Sequence, residues 1–95
     1  MAIFPGQRTV PLDQVGVSLA PSEGGVYAIC GVDGGYLYFG ETNDVRRRLM
    51  EHLEDETSCV NRAGGVFFAY EIYPSYGTRI ARRNKLIATY LPPCN

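Results

Sequence analysis

Residues 24–52 read GGVYAICGVDGGYLYFGETNDVRRRLMEH, and the punctuation inside this stretch decides the fold. From Gly25 to Cys30 the pattern alternates. Val26, Ala28 and Cys30 fall on one side and Tyr27 and Ile29 on the other, which is the period of a strand. Val32-Asp33-Gly34-Gly35 is a turn, because Asp-Gly and Gly-Gly supply the positive φ of a tight hairpin. Tyr36 to Gly40 is the returning strand, rich in aromatics. Thr42 or Asn43 then caps a helix running to about Leu53, with Asp44 well placed in its first turn. Val45, Leu49 and Leu53, at i, i+4 and i+8, form its apolar stripe.

Outside this core the signals are plainer. Met1 to Glu23 is a leader rich in Pro and Gly, with at most a helical turn around Leu12–Val17. Asp55 to Gly65 is a polar loop. Val66 to Tyr73 is a third strand that alternates poorly and is expected to be buried on both faces. Pro74-Ser75-Tyr76-Gly77 is a turn, Thr78 caps a second helix through about Tyr90, and Pro92-Pro93 stops it. The expected organisation is a leader over residues 1–23 and one domain over residues 24–95. Its order is β-β-α-β-α: an α/β chain of the α+β type, with a three-stranded, mainly antiparallel sheet and helices packed on it.

Composition narrows the function classes. At 95 residues, 45% hydrophobic and 20% charged, the chain has the balance of a single globular domain. It has no apolar run approaching the ~20 residues of a membrane span, and no secretory leader pattern. A cytoplasmic protein is expected. The three cysteines Cys30, Cys59 and Cys94 are an odd count with no Cys-x-x-Cys spacing, which predicts reduced thiols and no structural zinc site. Net charge is only −1, yet seven of the nine cations sit in two helical windows, and no acidic residue follows Glu71. Arg46, Arg47 and Arg48 in the first window, with Arg79, Arg82, Arg83 and Lys85 in the second, make a basic stripe suited to phosphates.

The chemistry converges on the hairpin and the helix that follows it. Two phenols on paired strands lead into a helix carrying Arg48 and His52 one turn apart. Arginine stays cationic and forks onto two phosphate oxygens. Phosphoryl transfer rewards such positioning and charge neutralisation. A phenol is a poor base unless a nearby cation lowers its pKa, a task open to Arg48.

Gly25-Val26-Tyr27, Tyr38-Phe39-Gly40 with the tyrosines eleven apart, Arg48 eight after that glycine, His52 four further on and the terminal Pro92-Pro93-Cys94-Asn95 together resemble the GIY-YIG nuclease family. The resemblance spans about Gly24 to Asn95. It implies an endonuclease that hydrolyses DNA strands, DNA before RNA, with one divalent metal, usually magnesium or manganese. It further implies that Tyr27 helps deprotonate the attacking water and that Tyr38 positions the nucleophile or phosphate. Arg48 would neutralise charge on the scissile phosphate, His52 would assist proton transfer, and Asn95 would tie down the local backbone. Arg46, Arg47, Arg82, Arg83, Lys85 and Asn95 are the expected nucleic-acid contacts.

One departure stands out. The family's metal-binding glutamate lies three residues before a Leu-Ile pair and twelve before the final asparagine, and both rulers land on Arg83. A guanidinium has no lone pair to give a metal and keeps its charge. Glu41 and Glu71 are the nearest acids in sequence. Four readings stay open at this level: a glutamate replaced to silence a toxic nuclease, a natural pseudo-nuclease that binds nucleic acid or a protein, a carboxylate supplied from elsewhere, or a metal-free reaction on RNA with Arg83 clamping phosphate. The leading expectation is a metal-dependent endonuclease domain impaired by Arg83. The alternative is a non-catalytic binding module on the same fold.

Overall fold

A computed structural model describes residues 9–95 of the chain. The elements run β1 (Val10–Pro11), α1 (Gln14–Ser18), β2 (Gly25–Gly31), β3 (Tyr36–Thr42), α2 (Val45–Glu54), α3 (Cys59–Arg62), β4 (Gly65–Ile72) and α4 (Tyr76–Tyr90). The strands form one antiparallel sheet in the order β1-β4-β2-β3. The sheet therefore has four strands where three were expected. The fourth is β1, a two-residue strand in the leader that pairs Val10 with Phe68 and Pro11 with Phe67. So short a pairing leaves no periodic signature. The leader from residue 9 onward joins the core through Leu12, Val17 and Ala20, and the first eight residues of the expected leader lie outside the described residues.

The alternation along β2 splits the interior in two. Tyr27 and Ile29 pack with Val17, Val45, Leu49, Val60 and Phe68, so α1, α2 and α3 cover one face. Val26 and Ala28 pack with Phe39, Ala69 and Leu86, so α4 covers the other. Every residue of β2 is buried because the strand is flanked by β4 and β3 and covered on both faces. β4 was expected to be the doubly buried strand, but only Phe68 and Ala69 are buried there.

Local expectations for the hairpin hold. Gly34 takes φ 83°, and the turn closes through Gly31 N–H to Gly35 O (2.9 Å) and Gly34 N–H to Gly31 O (2.9 Å). Caps shift by a residue or more. The N-cap of α2 is Asp44, whose carboxylate accepts from Arg47 N–H at 3.0 Å, while Thr42 Oγ1 accepts from Asp44 N–H at 3.0 Å. Helix α4 begins at Tyr76, with Ser75 in the N-cap position, so Thr78 lies inside it. The loop after α2 holds the short α3, capped by Ser58.

The C-terminal end departs most from expectation. Leu91 turns left-handed at φ 48° ahead of Pro92, which ends α4 and sends the tail along the free edge of β3. There Cys94 N–H donates to Leu37 O at 2.9 Å. Asn95 binds Phe39 twice, Oδ1 accepting from its N–H and Nδ2 donating to its C=O, both at 2.8 Å. The amide behaves as a one-residue strand and covers an edge that would otherwise be unpaired. Cys94 forms a disulfide with Cys59 on α3 (Cα–Cα 5.6 Å), which corrects the expectation of reduced thiols; Cys30 remains free and buried. The pair is separated by 35 positions, and only folding brings the two cysteines together.

Candidate active site

The hairpin register places Tyr27 opposite Gly40 and Ile29 opposite Tyr38. Tyr27 and Tyr38 are thus diagonal neighbours on the α2 face, with ring centroids 6.0 Å apart. Gly40 is required by this arrangement, because the Tyr27 phenol lies across it and a Cβ there would strike the ring. Helix α2 then adds its imidazole. His52 Nε2 is 2.9 Å from the Tyr27 hydroxyl, and its ring meets those of Tyr27 and Tyr38 edge-on at 5.6 and 5.3 Å. Arg48, one turn earlier, faces the same space. Tyr38, Arg48 and His52 line an open pocket of about 120 Å³ together with Ser58, Cys59, Val60 and Cys94. A phosphate group can enter it from the open side.

The electrostatics separate the roles. Tyr27 is fully buried behind the pocket rather than in it. Burial, and secondarily the neighbouring Tyr38, push its pKa upward, while the lowering effect of Arg48 is smaller. Arg48 therefore does not activate Tyr27 as a base: desolvation outweighs the cation. His52, also buried, has its pKa lowered to about 4, chiefly by desolvation and then by Arg48. The imidazole is neutral at pH 7. The Tyr27 hydroxyl and His52 Nε2 form a buried hydrogen bond whose direction follows the imidazole tautomer. Burial works against the charge of Arg48, but the two phenols and Glu51 outweigh it and raise its pKa. Its guanidinium rests on Glu51 Oε1 at 3.2 Å with the side chain 38% exposed, a weak pair that a phosphate can displace.

The structure brings together Tyr27, Tyr38, Arg48 and His52. The other sequence-predicted residues are spread around them. Arg46 Nε donates to Ala20 O at 2.6 Å and so braces α2 against the N-terminal segment. Arg47 is exposed and donates to Asn43 Oδ1 at 2.8 Å. Arg82 pairs with Glu71 at 3.1 Å. Arg83 donates to its neighbour Asn84 Oδ1 at 3.0 and 3.2 Å, and Lys85 is exposed. Asn95, expected both among the nucleic-acid contacts and as a tie on the local backbone, binds the Phe39 backbone through both its amide groups.

Sequence reasoning passed over Ser58, Cys59, Val60 and Cys94 as pocket residues, because α3 and the tail reach the site only through long-range packing. Glu51 as partner of Arg48 was readable from the i, i+3 spacing. A second, polar depression of about 330 Å³ is lined by Glu41, Thr42, Asn43, Arg47, Tyr76 and Arg79.

No group of three or more His, Cys, Asp or Glu side chains converges among the described residues. Glu41 is paired with Arg79 (3.1 Å) and Glu71 with Arg82 (3.1 Å), so both acids nearest in sequence are engaged by α4. No helix among the described residues is long and apolar enough to cross a membrane.

Comparison with known proteins agrees with this geometry. The family model described as the GIY-YIG catalytic domain matches residues 23–95. Among solved structures, the chain is similar to the GIY-YIG N-terminal endonuclease domain of UvrC from Thermotoga maritima bound to magnesium, with 26% identity, a TM-score of 0.73, and coverage of 83% of this chain and 90% of that one. A tyrosine-to-phenylalanine form of that domain matches at 26% identity, TM-score 0.73, over 83% of this chain and 89% of that one. An asparagine-to-alanine form, bound to its catalytic divalent cation, matches at 25% identity with the same TM-score and coverage. No curated protein sequence matches the chain.

Proposed function

The chain belongs to the GIY-YIG catalytic domain family, and from that premise we propose that it is an endonuclease-type domain gripping a phosphodiester of DNA, in preference to RNA, in the pocket of Tyr38, Arg48 and His52. The observation that carries this reading is the convergence of the Tyr38 phenol, a guanidinium and a neutral imidazole on one small pocket, with Tyr27 bound to His52 behind it. Arg48 leaves Glu51 and forks onto two phosphate oxygens, where charge builds during cleavage. The Tyr38 hydroxyl, at the pocket wall, orients the phosphate or the attacking water. Tyr27 acts from behind, its hydroxyl holding His52 Nε2 and passing hydrogen-bond polarisation from one ring to the other. The exposed Arg47, next to Arg48 on α2, adds positive charge beside the gripped phosphate. A cytoplasmic location forms part of the same proposal.

The related UvrC domain carries a divalent cation. In this chain we place Arg83 where the family has its metal-binding glutamate, and a guanidinium has no lone pair to give a cation and keeps its own charge. Hydrolysis that depends on a metal is therefore impaired in this form. That observation also favours a second reading, a binding module that keeps the fold and the phosphate grip without cleaving. Labelled single-stranded DNA, double-stranded DNA and RNA, incubated with magnesium, manganese or EDTA, separate the two. The wild-type chain is compared with Arg83→Glu, and with Arg83→Glu carrying Arg48→Ala. Cleavage by Arg83→Glu only with metal, reduced on the order of 10²–10³-fold by Arg48→Ala, supports the impaired nuclease. Salt-sensitive binding without cleavage by any form supports the binding module, and absence of both refutes the proposal.

A further inference from the structure

The wall of the pocket contains a group the reaction does not use. The Cys59–Cys94 disulfide lines the same space as Tyr38, Arg48 and His52. Its two halves are tied to opposite sides of that space. On the Cys59 side, α3 is held to the end of α2 by Asn61, whose Nδ2 donates to the carbonyl of His52 at 2.7 Å. On the Cys94 side, the tail binds Leu37 O through Cys94 N–H at 2.9 Å and both backbone groups of Phe39 through Asn95 at 2.8 Å. Leu37 and Phe39 are the residues before and after Tyr38. The disulfide is therefore a strap joining the backbone of His52 to the backbone on either side of Tyr38.

We infer that Cys59 and Cys94 are redox-controlled positioning residues for Tyr38. With the disulfide closed, the tail is held against β3 and Asn95 finds Phe39 as an intramolecular partner at high effective concentration. With it open, the tail beyond Pro93 loses its covalent anchor to α3, and the three hydrogen bonds that bracket Tyr38 fray. Cys59 is solvent-exposed, so a dithiol reductant can reach it. A reductant thiolate attacks Cys59 Sγ, forming a mixed disulfide and expelling Cys94 as thiolate, which takes up a proton. The reductant's second thiolate then attacks its own sulfur in the mixed disulfide and releases the Cys59 thiolate, which is protonated in turn. The protein gains two electrons and two protons, and the dithiol becomes a disulfide. Cys30, buried and unpaired, takes no part.

The consequence for phosphodiester binding rests on the function proposed above, but the strap itself is read without any substrate. Amide hydrogen exchange of the full chain is measured by NMR in the oxidised state, after reduction with dithiothreitol, and after reoxidation, with Cys59→Ser as the permanently open form and Cys30→Ser as the control that keeps the strap. Reduction is expected to speed exchange at the Phe39 and Cys94 amides at least tenfold and to move the Tyr38 ring resonances, reversibly. Exchange at Ala28 and Ile29 in the central strand should stay unchanged. Cys59→Ser should match the reduced protein and ignore dithiothreitol, whereas Cys30→Ser should respond like wild type. No change at Phe39 on reduction overturns the inference, as does an equal rise at Ala28 and Ile29, which would mark a loss of overall stability. Three free thiols in the oxidised protein would also overturn it. Binding of a DNA oligonucleotide, followed in parallel, distinguishes the two claims. An intact exchange response with no DNA binding in either redox state defeats the nuclease reading and leaves the strap standing.

Discussion

Lowering the pH from 7 to 4 should destabilise this protein through one side chain, His52, the only histidine in the chain. In the folded state its pKa lies at about 4, against 6.5 for the free group, because the ring is buried and Arg48 sits one turn away. The other groups bearing on it are the phenols of Tyr27 and Tyr38 and the carboxylates of Glu51 and Asp55. Between pH 6.5 and 4 the unfolded chain binds a proton that the folded chain refuses, so stability rises with pH across this window. The contribution is fully present above 6.5, falls as pH drops through the window, and is lost below about 4. A shift of this size corresponds to roughly 3 kcal/mol, a large share of the stability of a small domain. Asp55, whose folded pKa is lowered mainly by its hydrogen bonds to Thr57, acts at lower pH and leaves the window clear.

Two assays check this. The NMR titration of the His52 Hε1 proton should show a midpoint near 4 in the folded protein. Urea denaturation at pH 7, 6, 5 and 4 should show the midpoint falling by on the order of 2 M, taking an m-value of about 1.5 kcal/mol per M. In His52→Gln, which keeps a side-chain acceptor for the Tyr27 hydroxyl, most of that slope should vanish. A titration midpoint at or above 6.5, or equal slopes in the two proteins, would falsify the claim that burial holds this imidazole neutral.

Two further outcomes follow from the same packing. Gly40→Ala puts a methyl group into the Tyr27 ring. It should cost about 1–3 kcal/mol in a urea melt and displace Tyr27 from His52, visible as a rise in the His52 titration midpoint. Arg79→Ala breaks an ion pair with Glu41 in which the side chains are only 8% and 17% exposed, and also frees the carbonyls of Tyr73 and Pro74. A loss of about 3–5 kcal/mol is expected, and Arg79→Met with Glu41→Met should recover much of it; a double variant as unstable as the single would refute this view of the pair.

Much of the domain was legible in local pattern. The alternation of Val26 to Cys30, the Asp33-Gly34 turn and the i, i+4 stripe of Val45 and Leu49 specify a hairpin leading into a helix. That unit alone carries Tyr27, Tyr38, Arg48 and His52. Short sequence separation makes such contacts readable, since the strand period and the helical period act within a few residues. The motif spacing from Gly25 to Gly40 also has a steric basis: the register that pairs Tyr27 with position 40 leaves no room for a side chain there.

The rest required distant segments to meet. β1 is two residues long and exists only because β4 offers it an edge. Cys59 and Cys94 become partners, and Asn95 a partner of Phe39, only once α4 has turned the chain back along β3. Glu41 and Glu71, far from α4 in sequence or separated from it by a turn, are engaged by Arg79 and Arg82 of that helix. The ionisation of the site was the least readable of all. Sequence places a cation near Tyr27 and invites a lowered pKa, whereas folding removes the phenol from water and raises it. Local pattern suffices to gather Tyr27, Tyr38, Arg48 and His52, because hairpin and helix periods act within a few residues. Their charge and their anchoring come from the folded whole, because desolvation and long-range pairing depend on every segment that closes over them.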